Sequence, residues 1–224
     1  MSSSLFDIVG PVMIGPSSSH TAGAVRLGLL ARMVASNPIK QATCVLYNSF
    51  AKTYKGHGTG KGLIAGLMGF GVDDDRIRDI ETHAKEQDFN VSLEVFDAHN
   101  PHPPNTVRFL LTLESGTELD ILGHSIGAGK VRLSRINEYH LNITGEMPTL
   151  LMFYQDQPGM IWQVTKLLAE ANVNIATLQC ARKQRGNEAY MIITLDEMVP
   201  KPVIEAIRHI PDMYMSRCVE SLPQ

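Results

Sequence analysis

The chain has 224 residues, 44% of them hydrophobic and 19% charged, with a net charge of −3 at pH 7 and a pI near 6.2. That size allows one large domain or two small ones, and the nearly balanced charge offers no basic field to nucleic acid or an anionic membrane. No apolar run approaches the roughly 18 residues of a membrane-spanning helix, no secretory signal precedes Gly15, and three dispersed cysteines make no disulfide framework, so a cytoplasmic protein is expected.

The first informative stretch in chain order is Gly15-Pro16-Ser17-Ser18-Ser19-His20-Thr21-Ala22-Gly23. Ser or Thr ahead of an apolar-periodic run is a helix N-cap signal, and the run that follows predicts a helix over Ala24–Ala35 with Val25, Leu29 and Met33 on one face. The polar cluster then sits at the positive end of that helix, where free N–H groups suit a carboxylate or phosphate. His20 adds a group able to move a proton near neutral pH. An ordinary cap with surplus serines is the plainer alternative.

Thr43–Tyr47 reads as a strand, and then comes Lys55-Gly56-His57-Gly58-Thr59-Gly60-Lys61-Gly62. Glycine on both sides leaves the His57 imidazole uncovered, and Lys55 and Lys61 flank it. The spacing matches neither a Walker loop nor a dinucleotide fingerprint, so a nucleotide site is rejected. Gly60–Phe70 predicts a helix whose small residues allow close packing, and Asp73–Gln87 a charged, exposed helix. Val91–Phe96, Thr106–Leu113 and Glu118–Leu122 read as strands, with Lys130–Ile136 a weaker one. His99 and His102, with His124, lack a third ligand at known spacing, so structural or surface histidines are expected there.

A polar link at Asn142–Glu146 divides the chain into domains of residues 1–145 and 146–224. Beyond it come a strand at Thr149–Tyr154, the turn Gln155-Asp156-Gln157-Pro158-Gly159, a helix carrying Ile161, Val164, Leu167, Leu168 and Ala171, strands at Val173–Ala181 and Ala189–Leu195 around a hairpin at Gln184–Asn187, a helix at Val203–Ile210 and a strand at Met213–Val219. The order βαββαβ describes a ferredoxin-like unit of about 70 residues. The fold class is therefore α+β: an α/β domain followed by a ferredoxin-like one.

Phe6-Asp7-Ile8 with the Ser17–Thr21 run, the Gly56–Thr59 segment, His99–Thr106 and Ser125-Ile126-Gly127-Ala128-Gly129 resemble stretches of the iron–sulfur L-serine dehydratases, most closely the β subunit of the two-chain form. The second domain, with Asp156, Pro158 and Gly159 at its first turn, resembles the ACT regulatory domain, and the first resembles the allosteric substrate-binding domain of some phosphoglycerate dehydrogenases. The resemblance implies an L-serine ammonia-lyase: L-serine loses water through an aminoacrylate and yields pyruvate and ammonia. It implies that His57 and His20 are catalytic, with His57 the candidate base, and that Ser17, Ser18, Ser19, Thr21, Gly58, Thr59, Lys61 and Asn105 bind substrate. It implies a 4Fe–4S cluster, acting as Lewis acid, held by cysteines of the partner α subunit; Cys44, Cys180 and Cys218 of this chain lack cluster spacing. This chain is then inactive without that subunit. An ACT homodimer is also implied, and whether its turn still binds a regulatory amino acid stays open. A stand-alone amino-acid sensor is the alternative function.

Overall fold

The computed structural model describes residues 12–96 and 98–223. The Phe6-Asp7-Ile8 stretch lies outside them. The chain divides into two compact units, one ending at Thr144 and rejoined by Leu222 and Pro223, the other Gly145–Ser221.

The first unit is a six-stranded sheet covered by helices. Its strands are β1 (Ile39–Tyr47), β2 (Asn90–Phe96), β3 (Thr106–Leu113), β4 (Glu118–Gly127), β5 (Lys130–Ile136) and β6 (Tyr139–Ile143), in the order β2-β1-β3-β4-β5-β6. Only β1 and β2 run parallel. Their crossover carries α2 (Asn48–Thr53), α3 (Thr59–Met68), a 3₁₀ turn (Asp75–Asp79) and α4 (Ile80–Glu86). Ala42, Cys44 and Leu46 of β1 and Val107, Phe109 and Leu111 of β3 alternate into the core, as a one-sided sheet requires.

The long first helix, α1 (Gly23–Ala35), crosses α3 at backbone contact. A Cβ on Gly66 would come within 2.1 Å of the Val25 carbonyl oxygen, and one on Gly28 within 2.7 Å of that of Leu63. The small-residue pattern of α3 is thus a packing device. The helix does not start as an ordinary capped α-helix. Ser17 caps it, its Oγ accepting from the His20 N–H, but Ser18–Ala22 form a single π-helical turn ahead of α1.

Three further expectations are revised. The charged stretch after Asp73 is broken in two, because the Asp74 carboxylate accepts from the Arg76 N–H and closes a 3₁₀ turn. It is also not wholly exposed: Ile77, Ile80 and Ala84 are buried at helical spacing. β4 runs on to Gly127 rather than stopping at Leu122, and α2 and β6 have no counterpart in the sequence reading.

The second unit runs β7 (Thr149–Gln155), α5 (Met160–Glu170), β8 (Ile175–Arg182), β9 (Glu188–Leu195), α6 (Lys201–Arg208), β10 (Met213–Val219), with sheet order β10-β7-β9-β8. This is the ferredoxin-like order, antiparallel throughout. Leu150, Met152, Met191 and Ile193 meet Met160, Val164, Leu168 and Ile207 in its core.

Candidate functional site

Two segments read separately from the sequence meet at Thr21. That side chain is 1% exposed, and its Oγ1 donates to the carbonyl oxygen of His57 at 2.7 Å. Gly15 and Gly58, both at positive φ, lie against it: a Cβ at Gly15 would fall 2.6 Å from Thr21 Cγ2. Glycine is therefore needed at Gly15 for space as well as for conformation.

The bond brings the two imidazoles together. The rings of His20 and His57 stack with centroids 5.1 Å apart and planes 22° from parallel, and Phe50 meets His20 edge-on at 5.6 Å. His20 Nε2 lies 2.8 Å from Asn105 Oδ1 and 3.1 Å from Ser49 Oγ. His20 is half-buried, while His57 is exposed. One ring is thus held by the protein and the other is open to solvent.

The segment bearing Asn105 is braced. The Asn48 amide donates to the His102 carbonyl at 2.6 Å and the Pro103 carbonyl at 3.2 Å, and exchanges bonds with Asn100. Thr106 Oγ1 donates to the Pro103 carbonyl at 2.7 Å, and the Asn105 carbonyl accepts from the Ser125 N–H at 3.1 Å. Asn48 and Asn105 adopt φ of 52° and 56°, a region in which Asn is enriched. His102 packs edge-on against Tyr47 at 4.8 Å.

Of the residues expected from the sequence, Ser17, His20, Thr21, His57, Gly58 and Asn105 converge here. Ser18 and Ser19 are half-buried in the π turn beside them. Thr59 starts α3 fully buried, and its Oγ1 has no hydrogen-bond partner among the described residues. Lys61 is engaged elsewhere: its ammonium donates to the Arg78 carbonyl. Ser49, Asn48 and Phe50 were not anticipated. An Asn-Ser pair directly after a strand is a helix-start signal, and α2 begins there.

His124 is 8% exposed in β4, and its Nδ1 has no partner among the described residues. Burial, and then the charges of Arg132 and His102, hold its imidazole below the usual histidine range. Among the described residues no three or more His, Cys, Asp or Glu side chains are grouped to hold a metal. Desolvation pushes the fully buried Cys44 thiol up to about 12, and burial also raises Cys218. Cys180 Sγ lies 2.9 Å from the Tyr154 hydroxyl.

In the second unit the turn before α5 is tied to the β8–β9 hairpin. Asp156 Oδ2 accepts from the Gly186 N–H at 3.0 Å and from Arg182 at 2.9 Å, which together hold its carboxyl below the usual range. Pro158 is exposed, and Gly159, at φ 92°, starts α5. Among the described residues no helix is long and apolar enough to cross a membrane.

Residues 4–135 match the family model described as serine dehydratase beta chain, and residues 149–212 match the ACT domain. The chain is 38% identical over 210 residues to the "Probable L-serine dehydratase, beta chain" of Bacillus subtilis, covering 94% of each chain. It is 36% identical over 205 residues to the "L-serine dehydratase, beta chain" of Peptoniphilus asaccharolyticus, covering 92% of this chain and 90% of that one. A D-3-phosphoglycerate dehydrogenase of Synechocystis is 26% identical over 189 residues, 84% of this chain but 34% of that enzyme. With its paired histidines, its motif-bearing first unit and a match along nearly its whole length, the chain belongs to the serine dehydratase beta-chain family.

Proposed function

We propose that this chain is the β subunit of an L-serine dehydratase and acts with a cluster-bearing α subunit to convert L-serine into pyruvate and ammonia. The observation that carries the reading is the His20–His57 stack, fastened through Thr21 and Asn105, in a chain that matches such β chains over 94% of its length.

The overall change is an elimination: the Cα proton and the β-hydroxyl leave as water. The resulting aminoacrylate tautomerises to an imine, which water cleaves to pyruvate and ammonia. In this reading the histidine pair takes the Cα proton, a role worth roughly 10²–10⁴-fold. The Ser17–Thr21 run at the start of the helix receives the substrate carboxylate, where N–H groups and the helix dipole favour an anion. The iron–sulfur cluster is assigned to the α subunit, in keeping with the wide spacing of Cys44, Cys180 and Cys218 in this chain. The second unit is read as regulatory, through an ACT homodimer.

The stand-alone sensor has no observation that favours it. Co-expression with the α subunit under anaerobic conditions, followed by a pyruvate assay on L-serine, tests the proposal. Pyruvate formation that requires both chains is expected, and an iron-loaded two-chain complex inert towards L-serine would overturn it.

A further inference from the structure

We propose that Asn105 is a positioning residue that, with Ser49, keeps His20 protonated on Nε2 and leaves the lone pair on Nδ1 as the proton acceptor of the site. The inference rests on the serine dehydratase reading and assigns Asn105 a role other than substrate contact.

A neutral imidazole carries one N–H and one lone pair, and which nitrogen holds the proton is set by its partners. The side-chain carbonyl oxygen of Asn105 can only accept, and it lies 2.8 Å from Nε2. The N–H therefore belongs on Nε2, with Ser49 Oγ at 3.1 Å sharing it.

Both partners are fixed by bonds of their own. The Asn105 carbonyl is pinned to β4 by the Ser125 N–H, and its left-handed backbone suits asparagine. Thr53 Oγ1 donates to the Ser49 carbonyl at 2.7 Å, so both acceptors are set before substrate arrives. His57 differs: its link to Thr21 runs through its backbone carbonyl, and its ring is exposed. Of the stacked pair, His20 is thus the ring whose proton the protein places. A base needs that placement, as the aspartate of a Ser-His-Asp triad provides by holding the far side of its histidine.

The test begins with the isolated full chain labelled with ¹⁵N-histidine. Long-range ¹H–¹⁵N spectra are expected to show His20 with Nε2 protonated and Nδ1 bearing the lone pair. Protonation on Nδ1 would mean that the Asn105 amide donates, and would overturn the proposal.

Two variants are then assayed in the two-chain enzyme. Asn105→Asp keeps an acceptor and adds a negative charge beside the imidazole, so the acid limb of turnover should move up by about one pH unit. Asn105→Gly fits the positive φ and removes the amide. Turnover should fall about tenfold or more, with KM for serine within about twofold of the parent. An unmoved acid limb, or a raised KM at unchanged turnover, would instead place Asn105 on the substrate. The spectrum needs no α subunit and no serine, so it decides this inference even if the two-chain enzyme forms no pyruvate.

Discussion

Thr21 Oγ1 donates to the His57 carbonyl at 2.7 Å across 36 residues of sequence, and that bond joins the serine-rich turn to the glycine-flanked histidine. With Thr21 buried beneath Gly15 and Gly58, the stacking of His20 on His57 depends on a hydroxyl that points away from solvent.

Thr21→Val keeps the shape and removes the donor. The stability cost should be about 1 kcal/mol, while turnover of the two-chain enzyme should fall at least tenfold as the stack loosens. Thr21→Ser should recover most of the activity. Thermal melts beside steady-state kinetics check this, and an equal loss of stability and activity in both variants would contradict it.

His57→Ala is expected to lower turnover by roughly 10²-fold or more without impairing assembly. The ring is exposed, so its removal leaves no cavity. His20→Ala should lower turnover at least as far, because the acceptor Nδ1 is lost with the ring, and should cost stability as well, since Asn105 and Ser49 lose their partner. Kinetics and thermal melts of both variants, with size-exclusion of the complex, check this: both should lose turnover, and only His20→Ala should lose stability.

His124 makes stability depend on pH. Its folded-state value is depressed by burial, Arg132 and His102, so the unfolded chain binds more protons as pH falls below about 6.5. Stability from this residue is full above that pH and drains away below it, at no more than about 1.4 kcal/mol per pH unit. Melting temperatures from pH 7.5 to 5 should fall less in His124→Phe than in the parent. Parallel curves would mean that His124 does not titrate in this range.

The β8 strand pairs only with β9 among the described residues, and Ala176–Cys180 are exposed along it. An edge of that length tends to be covered, and self-pairing of the ACT unit is the expected cover. Light scattering of the isolated chain at tens of micromolar should give at least a dimer, and Leu178→Lys should shift it towards monomer. A monomeric parent would refute the pairing.

The ferredoxin-like unit was readable almost strand by strand, because Thr149–Tyr154 and Ala189–Leu195 are continuous apolar runs and Pro158 and Pro200 mark helix starts. His20 and Thr21 stand out in the serine-rich run and His57 by its glycine flanks, whereas Asn105 stands out only through the resemblance of its Asn-Thr pair to the family. Ser49 was not, because its importance comes from the crossover that brings α2 beside Asn105, and no local pattern encodes that approach. The Lys61 side chain shows the converse. Its place in the motif suggests a substrate contact, and the bond its ammonium donates to the Arg78 carbonyl across the crossover has no signal in the local sequence.

The π turn at Ser18–Ala22 sets an angular phase. One residue more than an α-helical turn is wound between Ser17 and α1, and each residue of helix advances about 100°. The buried face of α1 is locked by Gly28 against α3, so this added residue decides the azimuth at which His20 leaves the helix. A single deletion between His20 and α1 would leave the apolar pattern of α1 intact, yet swing His20 and the residues before it by that angle. Length in this short stretch is therefore as much a determinant of the site as the identity of its residues.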